Sequence, residues 1–159
     1  MTFKYNNVFV DNTSCIVGPY EKKGPFGKKF DKCYDDLYFG EKTYEDAEVK
    51  LVEESIEILL KKARKKRDDI DLIMGGDLLN QICATSYGVK KFNIPHLGIY
   101  SACSTSTEGI LLLSSLIDSA KVKNGIVVVS SHNLGSEKQF RNPVEYGAPK
   151  PSSATFTTT

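Results

Sequence analysis

The stretch Leu97-Gly98-Ile99-Tyr100-Ser101-Ala102-Cys103-Ser104-Thr105-Ser106 carries a short apolar run into a cysteine, and an apolar-periodic helix starts directly after it. That order seats a thiol at the positive end of a helix dipole. Unpaired backbone N–H groups gather there and favour a thiolate or a bound carboxylate over a neutral buried SH. Cys103 is therefore a candidate for chemistry or for anion capture, the alternative being a small core residue at a strand-to-helix turn. His132, in Ser131-His132-Asn133, is the imidazole that can accept a thiol proton or stabilise a thiolate; its alternative is a hydrogen-bonded loop histidine. Asp77, after Gly75-Gly76, adds a carboxylate whose local alternative is the N-cap of the next helix. Arg141, in Gln139-Phe140-Arg141-Asn142-Pro143, can clamp a carboxylate through two parallel N–H bonds, or stand as a surface arginine.

The elements that must position these groups follow from periodicity. Residues 8–17 are rich in β-branched side chains and end at Gly18-Pro19, which predicts a strand closed by a turn, with a polar loop over residues 22–27. Thr43-Tyr44-Glu45-Asp46 opens a long helix in capping-box style, Asp replacing the usual Glu. Ala47, Leu51, Val52, Ile56, Leu59, Leu60 and Ala63 recur at helical spacing, so one face of that helix packs on a sheet. Its basic end, residues 61–67, reads as a solvated helix terminus or as a patch for anionic lipid or nucleic acid; no aromatics are interleaved to stack on bases. Residues 70–74 predict a buried strand, residues 78–87 a shorter helix, and residues 125–131 a near-continuous apolar strand of the kind covered on both faces. Strand, helix, strand, helix, strand is a βαβ pattern and predicts an α/β fold with a mostly parallel sheet and covering helices. In such sheets ligands sit beyond the carboxyl ends of the strands. Gly76-Asp77, residues 101–104 and Ser131-His132-Asn133 all fall there, and are expected to converge on one pocket.

At 159 residues the chain suits a single domain with a real core. With 26% charged and 40% hydrophobic residues and a formal net charge of +1, neither disorder nor electrostatic attraction to nucleic acid is implied. The first residues lack the apolar centre of a signal peptide, and no run is long enough to span a bilayer, so the chain is expected on the cytosolic side of any membrane it meets. Cys15, Cys33, Cys83 and Cys103 form no C-x-x-C pair and stand at no metal-ligand spacing from a His, which argues against zinc; no cofactor is implied.

Ala102-Cys103-Ser104 at a strand-to-helix turn, with the Ser130-Ser131-His132-Asn133 strand end, resembles the first half of the thiolase and ketoacyl synthase superfamily. Longer runs narrow this. Residues 30–40, Gly76-Asp77-Leu78-Leu79-Asn80-Gln81-Ile82, residues 98–105, and residues 130–133 with 137–147 together resemble the stage V sporulation protein AD family of spore-forming Firmicutes. The resemblance spans nearly the whole chain. It implies a thiolase-like, non-catalytic protein that binds dipicolinic acid, a pyridine dicarboxylate, and helps load it into the developing spore. It also implies a peripheral position at the inner forespore membrane beside the other SpoVA membrane proteins. By that resemblance Cys103 and His132 fall in the former thiolase pocket, with Asp77, Asn80 and Arg141 beside it. Ser104 and Asn133 complete the expected ligand-binding set.

Thiolase-like proteins have two similar α/β halves, and residues 1–159 match only the first. The chain is expected to be a single half-domain, truncated at its C-terminus. Its last residues, Pro151-Ser152-Ser153-Ala154-Thr155-Phe156-Thr157-Thr158-Thr159, form a strand-like run with no turn to finish it. An orphan half leaves apolar surface uncovered, which makes a homodimer a candidate assembly. The competing function is an acyl-transferring condensing enzyme with Cys103 as nucleophile. That reading needs acid/base and oxyanion-hole groups the sequence does not contain.

Overall fold

A computed structural model describes residues 2–140. Arg141 and the strand-like run at residues 151–159 lie outside the described residues.

The architecture is α/β with parallel sheets, as the βαβ pattern predicts. Three strands, β3 (Leu72–Gly76), β4 (His96–Gly98) and β5 (Gly125–Val129), form a parallel sheet with β3 in the middle, Ile73 opposite His96 on one side and Ile126 on the other. Helices α3 (Cys83–Lys90) and α4 (Thr105–Asp118) are the crossovers, and α2 (Tyr44–Ala63) adds a further layer. The pleat divides the core. Ile73, Ile126 and Val128 pack with Val52, Ile56 and Val89 on the α2/α3 face, whereas Met74 and Val127 pack with Ile99 and Leu113 on the α4 face. A smaller parallel pair, β1 (Ile16–Val17) and β2 (Lys32–Cys33), stands beside α2, held by Lys32 Nζ on both Glu54 oxygens at 2.8 Å.

Helix α2 begins as its first residues predict. The Thr43 hydroxyl accepts from Asp46 N–H at 3.0 Å and donates to the Asp46 carboxylate at 2.7 Å, so the reciprocal contact runs between side chains. Part of its basic end is spent locally, Lys62 pairing with Asp31 at 2.8 Å and the Arg67 guanidinium donating to Lys91 O.

Three expectations need correction. Among the described residues the predicted strand over residues 8–17 pairs only at Ile16–Val17, with β2, and Phe9 and Val10 are 84% and 79% exposed. The predicted loop at residues 22–27 begins only at Gly24, because Lys22 and Lys23 close a short helix α1 (Pro19–Lys23) that starts on a proline already in helical φ. The predicted helix over residues 78–87 starts later, at Cys83, because Gln81 and Ile82 sit at φ +60° and +47° and break the turn before it.

Two glycines set how closely α4 approaches the sheet. A Cβ on Gly76 would lie 2.0 Å from Ile99 O and 3.0 Å from Thr105 Cγ2, and one on Gly109 would lie 2.7 Å from Val127 Cγ1. Their hydrogens let α4 settle directly on β3 and β5, which fixes the turn that carries Cys103.

Candidate functional site

The turn after β4 is a single 3-10 turn, Ala102–Ser104, running into α4. It is built from its own hydroxyls. Ser101 N–H donates to Thr105 Oγ1 at 3.0 Å, Thr105 Oγ1 donates to Ala102 O at 2.8 Å, and the Ser101 and Ser104 hydroxyls lie 2.7 Å apart. Ala102 is held at φ +46°, a left-handed conformation that a residue with a Cβ adopts only when its surroundings force it. Cys103 follows, exposed, at the start of α4 where the dipole is positive.

The strand end after β5 is arranged differently. His132 is fully buried. Its Nε2 lies 2.7 Å from Leu37 O, its Nδ1 accepts from Gly135 N–H at 3.4 Å, and its ring stacks on Tyr44 and tilts against Phe39. An accepting Nδ1 places the proton on Nε2, so the ring is neutral, and burial pushes its pKa down. Asn133 opens α5 (Asn133–Phe140).

Asp77, after β3, is buried and spends both oxygens on backbone: Leu79 N–H at 2.9 Å and Thr85 N–H at 2.7 Å. Thr85 is the third residue of α3, so the carboxylate caps that helix through an eight-residue reach. Asn80 lies exposed on the turn in between.

The predicted residues thus divide between two sets of contacts. Asp77 bonds the first turn of α3 and His132 packs on Tyr44 of α2 and on Phe39 before it, whereas Cys103 and Ser104 stand on the turn that opens α4. Strands β4 and β5 are also separated by β3, about 10 Å in the plane of the sheet.

One residue of the buried cluster escaped the sequence reading. Glu48 on α2 is fully buried; its Oε1 accepts from Ser130 Oγ at 2.9 Å and its other oxygen has no partner. Burial, then the neighbouring Asp77 charge, pushes its carboxyl up to about 7 against the pull of the Ser130 bond. The signal was present: Glu48 falls between Ala47, Leu51 and Val52, an acid inside an apolar stripe. Among the described residues no cluster of three or more His, Cys, Asp or Glu is placed to hold a metal ion.

Residues 1–159 match the family described as Stage V sporulation protein AD. The chain belongs to the stage V sporulation protein AD family. The protein of that name from Bacillus subtilis (strain 168) is 43% identical over 152 residues, covering 96% of this chain. The match takes in 45% of that relative's length, so the chain spans about half of it. Among solved structures, 3-oxoacyl-[acyl-carrier-protein] synthase III from Aquifex aeolicus VF5 is similar at a TM-score of 0.47 and 21% identity, over 57% of this chain and 30% of that one. Membership of the stage V sporulation protein AD family ties the chain to sporulation, under a name that denotes no enzyme. No helix among the described residues is long and apolar enough to cross a membrane.

Proposed function

We propose that this chain belongs to a dipicolinic acid-binding component of the SpoVA uptake system, acting without catalysis as a thiolase-like half-domain. It works as a peripheral protein at the inner forespore membrane, beside the other SpoVA membrane proteins. The observation that carries the reading is the family match over residues 1–159, with 43% identity to a stage V sporulation protein AD. The geometry supports binding over catalysis. Both His132 nitrogens are engaged and the ring is neutral and sealed, so this imidazole is not poised to take the Cys103 proton. A helix start with serine hydroxyls suits a planar dicarboxylate. The exposed β4 edge, with Leu97 and Tyr100 at the surface, suits pairing with a second copy.

Calorimetric titration of the chain with dipicolinate tests this: saturable binding that weakens in Arg141→Ala and Ser104→Ala is expected, and no heat at millimolar ligand overturns it. A second reading, acyl transfer, is favoured by one observation, the exposed Cys103 on a strained turn at a helix start. There the sulfur would attack an acyl-CoA thioester carbonyl, the CoA thiolate leaving with the proton. Incubation with acyl-CoA and intact mass measurement separates the two, since a stable adduct on Cys103 supports acyl transfer and overturns the binding reading.

A further inference from the structure

Residues 22–29, Lys22-Lys23-Gly24-Pro25-Phe26-Gly27-Lys28-Lys29, hold four lysines and no acid in a chain whose formal net charge is +1. They fold into a tight, hydrogen-bonded loop: α1 ends at Lys23, Gly24 N–H bonds Glu21 O at 3.0 Å, Gly27 N–H bonds Gly24 O at 3.1 Å, and Lys29 N–H bonds Phe26 O at 2.8 Å. A Cβ on Gly27 would lie 2.0 Å from Lys22 O, so only glycine lets the two limbs close this far. The Cys33 thiol of β2 donates to Gly27 O at 3.4 Å and ties the loop to the strand pair. At the middle of the loop Phe26 is 59% exposed, with the Lys29 ammonium 5.3 Å from its ring centre. Lys22 pairs with Asp35, whereas among the described residues Lys23, Lys28 and Lys29 pair with no carboxylate. The charge continues onto α2. Asp31, two residues after Lys29, takes Lys62 Nζ at 2.8 Å, which sets the foot of the loop against the last turn of α2, where Lys61, Arg64 and Lys66 are exposed.

We propose that this loop docks the chain on an anionic lipid surface, Phe26 entering the boundary between headgroups and acyl chains while Lys23, Lys28 and Lys29 lie among the headgroups. The proposal rests on the peripheral position proposed above and names the face that makes it. The order of the groups fits a bilayer. The apolar tip leads and ammonium groups on flexible stems stand behind it, as acyl chains lie deeper than phosphates. A nucleic acid presents its phosphates outermost and would meet the lysines first, and one phenyl within residues 22–29 offers no run of platforms for successive bases. The loop is closed by its own backbone bonds, so little order is lost on docking. The basic end of α2 beside it adds attraction that reaches about a Debye length into solution.

Co-sedimentation of the full chain with phosphatidylcholine vesicles, with and without about 30% phosphatidylglycerol, tests this. Binding is expected on the mixed vesicles only and weakens with added salt. Phe26→Ser is expected to bind about tenfold more weakly. Lys28→Gln combined with Lys29→Gln is expected to lose about twentyfold, at about fivefold for each lysine. These side chains are exposed, so both variants are expected to keep the wild-type urea midpoint. The chain holds no tryptophan, so Phe26→Trp gives a single reporter whose emission is expected to move to shorter wavelength on the mixed vesicles. Unmoved emission on bound vesicles, or equal binding by wild type and both loop variants, shows that another face docks and overturns the proposal while peripheral attachment stands. Absence of wild-type binding to either vesicle overturns it as well. Binding to a single-stranded RNA oligomer in place of vesicles, lost in the same variants, assigns the loop to nucleic acid and likewise overturns it. Dipicolinate titration of the loop variants is expected to match wild type, which leaves the acid-binding reading to its own measurement.

Discussion

Glu48→Gln isolates the buried carboxyl. In the folded protein this carboxyl titrates at about 7 against an ordinary 4.5. Between those values the folded state keeps a proton the unfolded chain has released, so stability falls as pH rises through the window and is lowest above about 7. The difference corresponds to about 3 kcal/mol between the acid and alkaline ends. Glutamine is a neutral isostere whose Oε1 still accepts from Ser130 Oγ. Urea midpoints for both proteins at pH 5, 6, 7, 8 and 9, converted with a common m-value, give the difference curve. The variant is expected to match wild type within about 1 kcal/mol at pH 5 and to exceed it by about 2–3 kcal/mol at pH 9. His132 titrates alike in both proteins and cancels. A difference that stays constant across the series would refute the claim that Glu48 changes charge in this window.

Removing the ring in His132→Ala should cost about 3 kcal/mol through the cavity between Phe39 and Tyr44 and the orphaned Leu37 carbonyl, measured by urea midpoint. The same variant should leave the Cys103 alkylation rate within about twofold, since both ring nitrogens are spent on Leu37 O and Gly135 N–H; a rate change of tenfold or more would restore the paired arrangement. Because burial lowers the His132 pKa, the ring's contribution to stability falls as pH drops below 6.5, where the unfolded ring takes up a proton the folded one refuses; it runs opposite to the Glu48 contribution, so a thermal series at pH 5–7 should show the gap between wild type and His132→Ala narrowing as pH falls. Thr43→Ala should cost about 1 kcal/mol by removing the α2 cap, read by the same denaturation. Gly76→Ala should cost about 3 kcal/mol, since the added carbon meets backbone at 2.0 Å, and should change Cys103 accessibility by displacing the turn above it.

The parts of the fold legible in the sequence are those where one periodicity runs long enough to leave a single solution. The α2 stripe and its Thr43 cap lie where the residues place them, and the apolar runs at Ile70-Asp71-Leu72-Ile73-Met74 and Gly125-Ile126-Val127-Val128-Val129 fall on β3 and β5. What escaped depends on partners distant in sequence. Residues 8–13 have strand composition, but a strand exists only where a neighbour bonds it, and only Ile16 and Val17 meet β2. The late start of α3 reflects Asp77, which draws Leu79 and Thr85 N–H onto one carboxylate and forces Gln81 and Ile82 out of helical φ between them.

The candidate site divides along the same line between local and distant information. That Cys103 opens a helix is a local fact, and the 3-10 turn with Ala102 at positive φ places it there, exposed. That Asp77, Cys103 and His132 follow consecutive parallel strands is also readable, but shared strand ends bring backbones only to within about 10 Å across the intervening β3. Which way each side chain turns is decided by what lies above it. Phe39, from the loop before α2, and Tyr44, the first residue of α2, both some ninety residues earlier in the chain, supply an aromatic slot and the Leu37 carbonyl supplies an acceptor, so the imidazole turns to the α2 side. The Cys103 thiol stays exposed on the turn that opens α4. The consequence is chemical as well as geometric: a neutral histidine locked by its own two hydrogen bonds can hold a loop in place but cannot shuttle a proton to or from the exposed Cys103 thiol.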